Sequence, residues 1–139
     1  MRIALWCVCL CSSLGGCSLW LPSPHPDRAW IDLQTQANNR LLAVEVDGEQ
    51  LRDRRYFQIE PGAHELAVRY HFEVKPTNIG AVEQPHRRDC RLTLAYNDFA
   101  PGQRYRLQAG KHGFRPWIRL YDPYDQLLAR GLERGCLSI

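Results

Sequence analysis

The residues able to do chemistry in this chain are histidines, carboxylates, cysteines and a large excess of arginine. His64-Glu65 begins the His-Glu-x-x-His spacing with which one helix face holds zinc, the glutamate serving as base. Position 68, where the second histidine would stand, is Val68, and the run His64 to Phe72 alternates as a strand, which sends neighbouring side chains to opposite faces. The metal reading therefore fails on spacing. His64, His71 and His86 would have to converge from separate elements to make a site. A hydrolytic centre would need two or more of His64, His71, His86, Asp122 and Glu133 in one pocket with shifted proton affinities. Asp122 and Asp125 flank Pro123-Tyr124, which a turn accounts for more simply than a paired acid and base. Ser12, Ser13, Ser18 and Ser23 lie near the start and Ser138 at the end, so no serine stands where a nucleophile is raised and activated. The sequence predicts no catalytic residue, no metal site and no cofactor.

Arginine is the remaining signal: 18 basic residues include only two lysines, Lys75 and Lys111. A guanidinium forks phosphate or carboxylate bidentately and stacks on aromatic rings. Arg52, Arg54 and Arg55 in one loop and Arg87 and Arg88 in another are the candidate anion-binding set, with Tyr56, Trp117 and Tyr121 as stacking surfaces for sugar rings or a peptide. Two plainer readings stand beside it: a GC-rich genome enriches arginine, and a solvated charged rim over core aromatics has the same composition.

The elements that would position these residues follow from length and patterning. A chain of 139 residues is one domain by the usual span of roughly 100 to 200 residues. Hydrophobic residues at 45% and charged residues at 24% are near the averages for globular proteins, which excludes a disordered chain and a membrane-embedded body. The formal charge is +3, too small to predict a polyanion partner by itself. Arg2 makes a short positive region and Ile3 to Leu10 an apolar one, far short of the roughly 20 residues that span a bilayer, as in a secretory signal. Leu14-Gly15-Gly16-Cys17 follows at the right distance and resembles the lipobox of bacterial lipoproteins. That resemblance implies cleavage after residue 16 and acylation of Cys17, with chains such as palmitate. Each buried methylene contributes about 0.8 kcal/mol, so two or three chains anchor durably. Ser18 following the cysteine implies sorting to the periplasmic face of the outer membrane, with inner-membrane retention as the alternative. Export leaves nucleic acid outside the expected partners. Those expected are the membrane itself and an envelope protein, peptidoglycan or lipid A phosphate.

With Cys7, Cys9 and Cys11 lost in the leader and Cys17 acylated, Cys90 and Cys136 remain. Two thiols in an oxidising compartment predict one structural disulfide, contributing roughly 4 kcal/mol by loop-closure entropy. Residues 17–28 contain Pro22, Pro24 and Pro26 and read as an extended stalk.

Residues 29–139 carry strand patterning. Trp30 to Thr35, Leu41 to Val46, Tyr56 to Ile59, His64 to Phe72, Cys90 to Tyr96, Tyr105 to Ala109, Trp117 to Tyr121 and a final stretch within Gln126 to Leu132 are the candidate strands. Asp47-Gly48 and Glu60-Pro61-Gly62 are turns that need positive φ. Lys75 to Arg88, with two prolines and no period, reads as a surface loop. No segment offers ten residues of amphipathic helix. The expectation is a small antiparallel β-sandwich of about seven strands.

Val44 to Gly48 (VEVDG) and Ile59 to Val68 (IEPGAHELAV) resemble PEGA-type surface domains, in which a V-D-G turn ends one strand and P-G-x-H-x-L-x-V begins another. The pattern is also similar to small proteobacterial lipoproteins in which a block like Phe99 to Leu107 follows. The long loop and the cysteine pair depart from it. The resemblance implies a noncatalytic envelope domain, structural or binding a partner; the alternative is an envelope hydrolase or metal-binding protein.

Overall fold

The computed structural model describes residues 20–75 and 86–138. The expected leader, Cys17 and most of the expected Lys75 to Arg88 loop lie outside them. The described residues are all-β, in two five-stranded sheets packed face to face. The first sheet has the order β4 (Tyr56–Ile59), β1 (Ala29–Gln34), β7 (Arg104–His112), β8 (Arg115–Tyr121) and β9 (Leu127–Arg130). The second has the order β10 (Leu132–Ser138), β6 (His86–Phe99), β5 (Gly62–Val74), β2 (Arg40–Val46) and β3 (Glu49–Gln50).

Three expectations are corrected. There are ten strands among the described residues, not about seven. Pairing is antiparallel except between β1 and β7, which run parallel, Ile31 opposite Tyr105 and Leu33 opposite Leu107. Arg87 and Arg88 stand on β6 and not in a loop, because the β5–β6 ladder continues through Glu73–Arg87 to Val74–His86. The long ladder leaves no unpaired backbone at these positions, which outweighs the weak patterning of the segment.

Side-chain alternation explains the packing. Leu66, Val68, Tyr70 and Phe72 of β5 and Cys90, Leu92 and Leu94 of β6 face Ile31, Phe57, Leu107, Ile118 and Leu120 of the other sheet, all buried. Each such large side chain contributes roughly 1.5 to 3 kcal/mol on burial. Ala67 and Thr93 fall in the opposite phase and are buried as well, Arg134 reaching from β10 to donate to Thr93 Oγ1 at 2.8 Å.

Two glycine positions direct the chain. In Asp47-Gly48 both residues have positive φ, 51° and 83°, the pairing that closes a tight hairpin between β2 and β3. Gly131 stands where the chain leaves the first sheet as β9 and joins the second as β10. A Cβ there would lie 2.1 Å from Ile118 Cγ1 and 2.8 Å from the Thr93 carbonyl, so only glycine passes between the layers. The predicted single last strand is thus two strands in different sheets.

Cys90 and Cys136 are disulfide-bonded and directly opposite in the β6–β10 ladder. Residues 25–28, where the expected stalk ends, are docked on the domain: the Gln58 side chain accepts from the His25 N–H at 2.9 Å, and the Gly102 N–H donates to the Arg28 carbonyl at 3.0 Å. No helix among the described residues is long and apolar enough to cross a membrane.

Candidate functional site

The two arginine groups, remote in sequence, meet at Arg40. It opens β2 and pairs across the sheet with His71 of β5, whose other neighbour is Asp89 of β6. An open depression of about 590 Å³ is lined by Arg40, Leu42, Arg52, Asp53, Arg54 and Arg55. A neighbouring cavity of about 310 Å³ takes in Arg40, His71, Glu73, Arg87 and Arg88. Arg40 lines both, so the surface is continuous.

Local bonds set the loop between β3 and β4. The Arg54 carbonyl accepts from the Ala43 N–H at 2.9 Å, tying the loop to β2. Asp53 accepts from the Arg55 backbone N–H at 3.1 Å and takes its guanidinium in a fork, at 2.9 and 2.6 Å. That fork is the main reason the Asp53 carboxyl is held below its ordinary range. Arg87 is engaged by Glu73 at 3.0 Å, and Arg88 donates to the Phe114 carbonyl while lying over its ring. Arg40, Arg52 and Arg54 have no carboxylate partner among the described residues. Six guanidiniums therefore meet two carboxylates, Asp53 and Glu73, leaving four uncompensated positive charges on this surface. The whole chain carries only +3, so its excess charge is concentrated here. A phosphate or carboxylate is the group such a surface can hold.

The acid–base candidates do not converge. His64 bonds Asp47 Oδ2 through Nδ1 at 2.5 Å and the Glu60 carbonyl through Nε2 at 2.7 Å, clamping two turns together. His71 lies 3.3 Å from Asp89, which also accepts from Arg69. His86 sits edge-on to Phe114. Asp122 accepts from the Tyr124 and Gln126 N–H groups, both at 2.9 Å, and so closes the Pro123–Gln126 turn, while Asp125 pairs with Arg106. Glu133 Oε1 lies 2.9 Å from Cys136 Sγ. Cys90, Glu133 and Cys136 bring three donor atoms within 4.8 Å, but with both sulfurs in the disulfide no thiolate is left to ligate a metal.

The predicted stacking rings are each covered on one face by the protein itself. Tyr56 stacks on Trp30 with centroids 4.3 Å apart, Arg106 lies 4.8 Å over Tyr121, and Arg119 lies 4.3 Å over Trp117. Sequence reasoning missed Arg40, which is isolated in the chain; only the β2–β5 register brings it to the other arginines. Comparison with protein-family models, curated proteins and solved structures returned no match.

Proposed function

We propose that this chain is a lipid-anchored module of a bacterial envelope, tethered through Cys17 at the periplasmic face of the outer membrane, which binds a phosphate-bearing envelope component and catalyses no reaction. The observation that carries the reading is the meeting of Arg52, Arg54 and Arg55 with Arg87 and Arg88 across Arg40. Three unpaired guanidiniums placed together repel one another, and an anion seated among them reverses that cost. The half-buried Leu42 beside them suits the sugar or acyl margin of a phosphorylated lipid headgroup. The lipobox supplies the address, since it holds the arginine surface within reach of such headgroups.

Two measurements test it. Intact mass of the protein purified from its own membrane should lack residues 1–16 and carry acyl chains; an unacylated mass removes the anchor from the reading. Titration of the detergent-solubilised protein with a phosphorylated disaccharide headgroup should saturate, weaken as salt rises, and fall roughly tenfold for Arg40→Ala, as loss of one charged hydrogen-bonding partner implies. Equal affinity for the dephosphorylated headgroup would remove phosphate recognition.

A further inference from the structure

The outer face of the first sheet holds a second cavity with different chemistry. It measures about 330 Å³ and is lined by Gln34, Thr35 and Gln36 at the end of β1, Gln108 and Lys111 of β7, and Trp117 of β8, among others. The register places Gln34 beside Gln108 and Gly110 beside Trp117. At position 110 only glycine fits: a Cβ would come 2.2 Å from Trp117 Cζ2, so the indole lies down across β7. Arg119 covers the ring from above. Glycine backbone and a guanidinium both press on the indole, which leaves it little surface for stacking a further ring. The indole N–H is buried and has no acceptor, a state that costs about 1 to 3 kcal/mol.

Apart from Lys111 and His112, the polar side chains of the remaining wall both give and accept. The Thr35 hydroxyl donates to the Ala109 carbonyl at 3.2 Å, while the amides of Gln34, Gln36 and Gln108 hold no side-chain bond among the described residues. No carboxylate lines the cavity. Its one lysine, Lys111, has its ammonium pKa pushed down by burial and by Lys75, with Glu73 opposing. An anion would be better served on the opposite sheet. Paired amide donors and acceptors match the vicinal hydroxyls of a sugar, each of which is also both donor and acceptor. The volume is at the lower end of that of small-molecule sites, about 300 to 1,000 Å³, enough for one ring. A second cavity, about 430 Å³ and lined by Asp32, Gln34, Arg104 and Arg106, adjoins it at Gln34. The two together run along the β1–β7 pair as a channel suits a chain of sugars.

We propose that this cavity binds one pyranose ring of an uncharged glycan chain, held by Gln34, Gln36 and Gln108 beside the Trp117 indole. The site lies on the sheet opposite the arginine surface and does not depend on it. The test is NMR titration of the detergent-solubilised full chain, following the indole N–H resonance assigned by its loss in Trp117→Phe. Chitotetraose and maltotetraose are the probes, separating N-acetylated from plain hexose rings. Either series should shift that resonance saturably, with a Kd near about 1 mM, the range of a single weakly held ring. Gln34→Ala and Gln108→Ala should each weaken binding at least about threefold, as loss of one neutral hydrogen bond implies; Gln36→Ala, at an exposed position, repeats the test with no packing to disturb. Arg52→Ala should change nothing. An indole resonance unmoved by both sugars, or moved equally in all three glutamine variants, overturns the proposal.

Discussion

At the scale of single residues, the clamp between Asp47 and His64 is the feature with a pH dependence that can be worked out. The Asp47 carboxylate accepts the Glu65 N–H at 2.8 Å and the His64 ring, and these bonds, the backbone one first, hold its pKa below the ordinary 3.8. For Asp32, burial pushes the carboxyl up, but hydrogen bonds from Arg104 and Trp30 outweigh it and the net direction is again down. A carboxylate whose folded pKa lies below its unfolded one stabilises the fold fully above the unfolded value, and that contribution is lost as pH falls through the folded one. The contribution of these two carboxylates should therefore be complete around neutrality and decline below about pH 4. Asn tolerates the positive φ of position 47, so Asp47→Asn should unfold at lower urea at pH 7 and lose less than the parent between pH 5 and pH 3, roughly the acid limb of one carboxylate; urea midpoints across that range check it. The Asp47-Gly48 turn was legible from turn chemistry alone. Its partner His64 was not, because the contact spans 17 residues and depends on the second turn at Glu60 to Gly62.

Among the elements, legibility follows how local the determining contact is. Strands β5 and β6 read from alternation because one face of each meets the other sheet. The end of the chain did not, since Leu132 to Ser138 is exposed at nearly every position and owes its place to pairing with β6 and to Cys136. The parallel β1–β7 pairing was equally hidden, joining residues more than 70 positions apart with no short-range mark. Of the candidate anion site, the two arginine groups were visible and Arg40 was not; of the glutamine cavity, only Trp117 was singled out, because the walls come from three strands. Gly131 is the element-scale position most sensitive to change. Gly131→Ala forces a methyl between Ile118 and the Thr93 carbonyl and should destabilise by about 1 to 3 kcal/mol, read as a lowered Tm with the disulfide intact.

For the molecule as a whole, the disulfide fastens an edge strand that few buried side chains hold. Reduction, or Cys136→Ala with Cys90→Ala, should cost roughly 4 kcal/mol by the loop it releases, measured as the fall in denaturant stability. Docking of residues 25–28 leaves residues 18–24 between the domain and Cys17, so with the acylation proposed above and at about 3.1 Å per residue the domain would sit within some 20 Å of the membrane anchor. The crossing at Gly131 sets a schedule for the newly made chain. The first sheet cannot be completed before β7, β8 and β9 are available to β1, and the second gains its last strand only from the residues after Gly131. Until those final residues arrive, Cys90 lacks Cys136 and the second sheet lacks its last strand, so on the export proposed above the fold closes only once nearly all of the chain has been delivered.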